Sequence, residues 1–219
     1  MHLVIINGSP RIQKYSNTDK IINSFVKGFC EGGNTYELYC ISNRTEWEKA
    51  QTAFARNAEI LIAIPLYVEN IPGILLEFLE TLDVKKEAGT KISFILQGGF
   101  AEGCQLRCGE KFLEKLPVFL GCTYGGTLVK GDNFGIRVME GDNLAKILKP
   151  YEEIGRLFAE KSGFDNEEAR AFTGPEVFSK WTQILLQMMF KTFAKRSFKK
   201  VAKSWGCTKP LMDRPYKQL

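Results

Sequence analysis

Apolar and polar positions fall along the chain in blocks of changing period, from short continuous runs to the three-and-four spacing of amphipathic helices. Leu3-Val4-Ile5-Ile6 is the first run, and it stops at Asn7-Gly8-Ser9-Pro10-Arg11. Ser16-Asn17-Thr18 then opens an amphipathic stretch from Asp19 to Glu31. Thr35 to Ile41 reads as a second strand after the breaker Gly32-Gly33-Asn34. Trp47, Ala50, Phe54 and Ala58 recur at helical spacing up to Ile60-Leu61-Ile62-Ala63-Ile64, a run that ends at Pro65-Leu66-Tyr67. Pro72 suits the first turn of a helix whose apolar face is Ile74, Leu75, Phe78, Leu79 and Leu82. A fourth strand, Lys91 to Leu96, is stopped by Gln97-Gly98-Gly99-Phe100, and Leu106, Phe112, Leu113 and Leu116 follow at helical intervals. Thr123 to Val129 is a fifth strand, weakened by Gly125-Gly126, and Asn143 to Lys161 is a fifth helix.

Strands alternating with helices in this way call for an α/β fold, a doubly wound parallel sheet with helices on both faces. Such sheets bind ligands outside the carboxyl ends of their strands, where the strand order reverses. The loops beginning at Gly8, Pro65 and Gln97 all lie at those ends, and each carries small, aromatic or hydrogen-bonding residues.

The first of these loops has the chemistry of a phosphate cradle. A strand feeds a turn containing Gly8, and a helix N-terminus follows, so free backbone N–H groups and the positive end of a helix dipole face one spot. Ser9, Ser16 and Thr18 supply hydroxyls and Arg11 a fixed cation. An ordinary loop with a Ser/Asn helix cap uses the same residue types. No lysine followed by Ser or Thr comes after the glycine, and there is no G-x-G-x-x-G, so neither a nucleotide-hydrolysing loop nor a dinucleotide fingerprint is present. A terminal phosphate monoester, such as that of FMN, suits what remains.

Composition narrows the chemistry further. The chain has 219 residues, 44% hydrophobic and 25% charged, which is ordinary for a globular protein. No run approaches the ~18 apolar residues of a membrane span. The chain enters a strand almost at once, with no signal-peptide pattern, so the cytoplasm and reduced thiols are the expectation for its six cysteines. The single histidine, His2, precedes the first strand, which leaves no basis for a histidine relay or a histidine-based zinc site. Cys104 and Cys108 stand one helical turn apart without further ligands nearby, a poor metal site.

With these loops in view, roughly residues 1–160 resemble the NADPH-dependent FMN reductase branch of the flavodoxin-like family. Gly8-Ser9-Pro10-Arg11 with Ser16-Asn17-Thr18 looks like its phosphate motif. Pro65-Leu66-Tyr67-Val68-Glu69-Asn70-Ile71-Pro72-Gly73 looks like its second motif, in which a proline–aromatic turn covers the flavin ring. Gln97-Gly98-Gly99-Phe100 looks like the third loop, near the pyrimidine end of the ring. The resemblance implies a flavodoxin-like five-stranded sheet in the order 2-1-3-4-5 over residues 1–164. It implies bound FMN, with NADPH or NADH as co-substrate. The implied FMN contacts are Ser9, Arg11, Ser16, Asn17, Thr18, Pro65, Leu66, Tyr67, Val68, Asn70, Gln97, Gly98, Gly99 and Phe100, with no side-chain acid or base and no metal. A flat amphipathic ring suits Tyr67 as an edge or stacking contact, and glycines at 98 and 99 let peptide N–H groups come close. Asn43-Arg44 after the second strand brings no cysteine cluster, unlike the family's iron–sulfur offshoot.

Residues 165–219 form a basic amphipathic helical extension past the expected domain end. From Glu176 to Trp205 there are seven Lys or Arg residues and one acid, Glu176 itself, interleaved with Trp181, Ile184, Leu185, Met188, Met189, Phe193, Phe198 and Val201. Such a helix lies on an anionic membrane surface, packs on the sheet domain, or joins a second subunit in a homo-oligomer. No base-reading motif accompanies it, and no nucleic-acid partner is expected. Together these features lead to an FMN-dependent oxidoreductase passing electrons from reduced nicotinamide to a small-molecule acceptor, a quinone, another flavin or a similar compound. A flavodoxin-type electron carrier is the rival. Such carriers resemble acidic surfaces, whereas this chain carries a net charge of +5. A flavin-free scaffold that kept the fold is the third reading.

Overall fold

A computed structural model describes every residue except 68–69, 87–88, 211, 215 and 217–219, and the side chain of Phe193. In chain order the first unit runs β1 (His2–Asn7), α1 (Asn17–Cys30), β2 (Thr35–Cys40), α2 (Trp47–Arg56), β3 (Glu59–Pro65), α3 (Gly73–Leu79), β4 (Lys91–Gln97), α4 (Arg107–Phe119), β5 (Thr123–Lys130), α5 (Gly135–Val138), α6 (Gly141–Lys161) and α7 (Glu167–Phe172). The five strands form one parallel sheet in the order β2-β1-β3-β4-β5. The expected flavodoxin-like order is therefore observed.

Burial explains which strands are central. β1, β3 and β4 are apolar on both faces, and Leu3 to Ile6, Leu61 to Ile64 and Phe94 to Leu96 have no accessible surface. β2 is half exposed, as an edge strand should be. At the other edge, the pairing of β4 with β5 shifts register between Ile92 and Phe94. Gly125 and Gly126 are needed there rather than merely tolerated. A Cβ on Gly126, whose φ is +91°, would stand 2.5 Å from the backbone of Phe164 and Asp165, and one on Gly125 would stand 2.2 Å from Ser93 Oγ. The chain leaving α6 thus closes onto β5, with Phe164 N–H donating to the Gly125 carbonyl at 2.7 Å.

Two apolar clusters cover the sheet. One gathers Ala53, Phe54, Leu75, Phe78 and Leu113 from α2, α3 and α4 against one face. The other gathers Ile21, Phe25, Phe29, Tyr151 and Phe158 from α1 and α6 against the opposite face. α1 and α6 cross backbone to backbone. A Cβ on Gly28 would lie 1.8 Å from the Glu152 carbonyl oxygen, and one on Gly155 would lie 2.0 Å from that of Phe25. Ala169 of α7 and Phe172 join the second cluster.

The chain divides into two compact units, Met1–Glu176 and Val177–Leu219. The boundary drawn from sequence at 164/165 falls inside the first unit, and residues 165–176 pack with the sheet. The second unit holds α8 (Lys180–Met189), a π-helical turn (Phe190–Ala194) and α9 (Lys195–Ser204). Ser179 caps α8, its Oγ accepting from Thr182 N–H at 3.2 Å. No helix among the described residues is long and apolar enough to cross a membrane.

Candidate functional site

The strand order reverses between β1 and β3, because the chain leaves β1 for β2 on one side and places β3 on the other. In open parallel sheets the loops leaving two such strands diverge at their carboxyl ends, and that is where ligands bind. The first loop begins with Gly8, whose N–H donates to the Ala63 carbonyl across the sheet at 2.8 Å. A Cβ on Gly8 would stand 3.2 Å from both that oxygen and Leu75 Cδ2, so glycine keeps the loop low over β3. Ser9, only 2% exposed, donates its N–H to Asn7 Oδ1 at 3.1 Å, and its Oγ accepts from Arg11 N–H at 3.3 Å. The loop therefore curls on itself and presents the Arg11 side chain to solvent.

At the start of α1 the hydroxyls have structural tasks as well. Ser16 Oγ is the helix cap, accepting from Asp19 N–H at 3.2 Å. Thr18 Oγ1 accepts from the Gln97 amide at 3.3 Å, and Asn17 donates its amide to the Asn133 carbonyl at 3.1 Å. A hydroxyl that accepts one bond keeps its own proton to donate, so Ser9, Ser16 and Thr18 remain donors toward an anion. Asp19, buried in the first turn, was not among the expected site residues. Its carboxylate takes a bond from the Asn23 amide at 2.9 Å and a long one from Asn7 at 3.5 Å. That negative charge already uses part of the helix dipole, so the Arg11 cation matters more for any second anion there.

Pro65 closes β3 opposite Gln97, and Leu66 N–H donates to the Gln97 carbonyl at 2.8 Å. Tyr67 and Asn70 exchange backbone bonds at 3.0 and 3.1 Å, which turns the second loop back on itself. Tyr67 is 40% exposed, and the side-chain oxygen of Asn70 accepts from Ile71 N–H at 2.9 Å. Val68, also expected at the ring, lies outside the described residues.

The third loop separates its two glycines. Gly98 N–H donates to the Lys130 carbonyl and the Gly98 carbonyl accepts from Asn133 N–H, both at 3.0 Å, so its N–H is committed to the sheet edge. A Cβ on Gly98 would also stand 2.8 Å from Leu106 Cδ2. Gly99 is exposed and has open space around its Cβ position, so it is the member of the pair that can approach a ring. Phe100 beside it is 76% exposed.

A fourth loop, after β5, completes the set. Asp132 takes a left-handed conformation with φ 59°, and a Cβ on Gly131 would stand 2.2 Å from the Phe100 carbonyl oxygen. Asn133, 3% exposed, donates its amide to the Lys130 carbonyl and accepts from the Tyr151 hydroxyl, both at 2.9 Å. Through its backbone it also holds Gly98 and Asn17. The triplet Gly131-Asp132-Asn133 after a strand was the available signal for this loop. Lys130 turns away from it, donating to the Phe172 carbonyl at 2.9 Å, and burial pulls its pKa below the usual lysine range.

Residues 173–176 brace the far side of the third loop. Gly103 and Cys104 N–H groups donate to the carbonyls of Pro175 and Glu176 at 3.0 and 3.2 Å, and Arg107 forms an ion pair with Glu176. Among the described residues no group of three or more His, Cys, Asp or Glu could hold a metal. His2, hydrogen-bonded to Thr35 Oγ1 at 2.8 Å, stands at the amino end of β1, away from all four loops.

No family model matches the chain, and no curated protein matches it. Solved structures do. An FMN-dependent NADH-azoreductase from Bacillus anthracis in complex with FMN superposes with a TM-score of 0.51 at 16% identity, over 73% of this chain and 100% of that one. An NAD(P)H:quinone oxidoreductase from Methanothermobacter marburgensis gives 0.53 at 14% identity, over 71% and 98%. The apo form of an NADH:FMN oxidoreductase gives 0.51 at 16% identity, over 77% and 93%. At these identities the likeness establishes a flavodoxin-like fold.

Proposed function

We propose that this protein binds FMN and acts as an NAD(P)H oxidoreductase, passing electrons to a small-molecule acceptor such as a quinone or another flavin. The observation that carries the proposal is the bonding of the first loop and the start of α1 to the carboxyl-terminal ends of β3 and β4 and to the loop after β5, through Gly8–Ala63, Thr18–Gln97 and Asn17–Asn133. Similar structures that act on FMN, NADH and quinones support it.

The residues fit the cofactor. Ser9, Ser16, Thr18, the first N–H groups of α1 and the exposed Arg11 would hold the phosphate. Pro65, Leu66 and Tyr67 would flank the ring, with Gly99 and Phe100 at its far end and Asn70 beside it. Bound FMN would supply the hydride and electron chemistry, so the chain needs no acid or base of its own. Exposed Phe112, Val118 and Phe119 along α4 suit assembly into a homo-oligomer. Absorbance of the purified protein tests the flavin, and oxidation of NADPH or NADH with a quinone tests the activity. Protein that takes up no FMN would end the proposal.

An electron carrier without turnover remains the second reading, and one observation favours it. Of the chain's 30 Lys and Arg residues, ten lie beyond residue 176, along with one of its 25 Asp and Glu. The sheet unit alone therefore carries a net charge of −4, and the +5 of the whole chain says nothing against an acidic carrier surface. Steady NAD(P)H oxidation by the flavin-loaded protein decides for the enzyme; stoichiometric reduction without turnover decides for the carrier.

A further inference from the structure

We propose that residues 177–219 form a peripheral anchor that docks on an anionic bilayer surface. The inference rests on charge and exposure in this unit and does not depend on the flavin reading. Ten Lys and Arg against one Asp give the unit a net charge of +9, whereas residues 1–176 carry −4. The net charge of the sheet unit thus does not favour anionic lipid, and the attraction would come from this segment.

The unit also exposes its apolar side chains. None of the residues of α8 or α9 is buried. Trp181 is 82% exposed and Trp205 57%, with Leu185, Met188, Phe190 and Phe198 also open. In α9, Lys195, Arg196, Lys199, Lys200 and Lys203 sweep an arc of about 140° at 3.6 residues per turn. Phe198, Val201 and Trp205 occupy the opposite side. Lys191 continues the Lys195–Lys199–Lys203 line back through the π turn.

A bilayer interface satisfies both sides of such a helix at once. Lysine heads reach phosphates along their apolar stems, while Trp and Phe enter the headgroup–acyl boundary. A second copy would cover the apolar side but bring two +9 units together. Duplex nucleic acid would meet the basic arc and leave both tryptophans in water.

Sedimentation of the full-length protein with vesicles tests the proposal. It should pellet with phosphatidylcholine vesicles containing roughly one-third phosphatidylserine and not with pure phosphatidylcholine, and be released at ~1 M salt. Neutralising four cations (K195Q, R196Q, K199Q and K200Q) should cut partitioning by two to three orders of magnitude, at roughly fivefold per cation. Brominated acyl chains should quench tryptophan emission, less so in W205A and W181A. If the fourfold variant loses helicity, the salt series on the unmodified protein decides. Equal pelleting with and without phosphatidylserine, a fourfold variant that pellets unchanged, tighter binding to duplex DNA at the same salt, or no pelleting with a dimer mass that needs this unit would each overturn the proposal.

Discussion

Arg11→Ala separates a phosphate cradle from an ordinary capped loop. Only the backbone of Arg11 is tied down, its N–H donating to Ser9 Oγ at 3.3 Å, while the side chain is exposed. Truncation removes no buried contact, so stability should change by less than about 0.5 kcal/mol. Hydrogen bonds from a charged donor contribute about 1.5–3 kcal/mol, so FMN affinity should fall roughly tenfold to a hundredfold. Riboflavin has the ring without the phosphate, and its affinity should stay within about twofold. Ser16→Ala is the counterpart. It deletes a buried cap, costing about 1 kcal/mol and lowering Tm by roughly 2–4 °C. It should weaken both flavins, because the helix start that faces them loosens. Titration of the three proteins with each flavin, read by quenching of flavin fluorescence, gives the FMN-to-riboflavin affinity ratio. An Arg11→Ala protein with an unaltered ratio would refute the assignment of the phosphate to the first loop.

Four further outcomes test the architecture. Gly28→Ala places a methyl 1.8 Å from the Glu152 carbonyl, where no rotamer change relieves it, so α1 and α6 must part. The overpacking of about 2–3 kcal/mol should exceed the ~1 kcal/mol gained in helix propensity, and an unchanged melting curve would mean the helices do not touch there. A chain ending at Glu176 should melt cooperatively. One ending at Phe164 should melt several degrees lower, because Ala169 and Phe172 leave the core and Arg107 loses Glu176; identical curves would place 165–176 outside the sheet unit. Arg107 holds the Glu176 carboxyl below its usual pKa, so the pair's contribution is complete above ~4.3 and disappears as pH falls through the lowered folded value. The side chain is half exposed, so the Glu176→Gln difference should be about 0.5 kcal/mol at pH 7 by urea midpoint and shrink as pH falls below ~4.3; a difference that grows on acidification would contradict the sign. Burial, with Asp19 and Glu46 nearby, pushes the Cys40 thiol up to about 11. Alkylation at pH 8 followed by mass spectrometry should find exposed Cys104, Cys108 and Cys207 labelled and Cys40 untouched until unfolding, and early labelling of Cys40 would show that β2 opens.

The strands were readable because buried parallel strands are continuous apolar runs with turn residues at both ends, and Leu3–Ile6, Ile60–Ile64 and Lys91–Leu96 have that form. The Gly8, Pro65 and Gln97 loops were readable for the same reason, since each begins where an apolar run stops. α5 and α7 were not foreseen. With four and six residues they are too short to establish a helical period, although Asn166-Glu167-Glu168 is a cap-like start that marked α7. The commitment of the Gly98 N–H was invisible as well, because it follows from the register of β4 on β5, which no local pattern records. The net charge misled in another way: a whole-chain sum hides two units of opposite sign.

The candidate site depends on a feature that residue types alone understate. At the carboxyl end of a parallel strand the backbone loses its ladder, and polar groups there are buried beneath the departing loops. Asn7, Gln97 and Asn133 stand at or just past the ends of β1, β4 and β5, each at most 6% exposed. An amide both donates and accepts, so one side chain can fasten two segments. Asn7 reaches Ser9 N–H and Asp19, Gln97 reaches Thr18, and Asn133 reaches Lys130 and Tyr151. No buried side-chain nitrogen or oxygen among the described residues is left without a partner, so this scaffold is satisfied before any ligand arrives. Binding energy from a phosphate or ring therefore need not be spent on ordering these three loop roots. Replacing Asn7 or Asn133 by leucine should weaken flavin binding through a slackened loop while leaving every proposed contact residue in place.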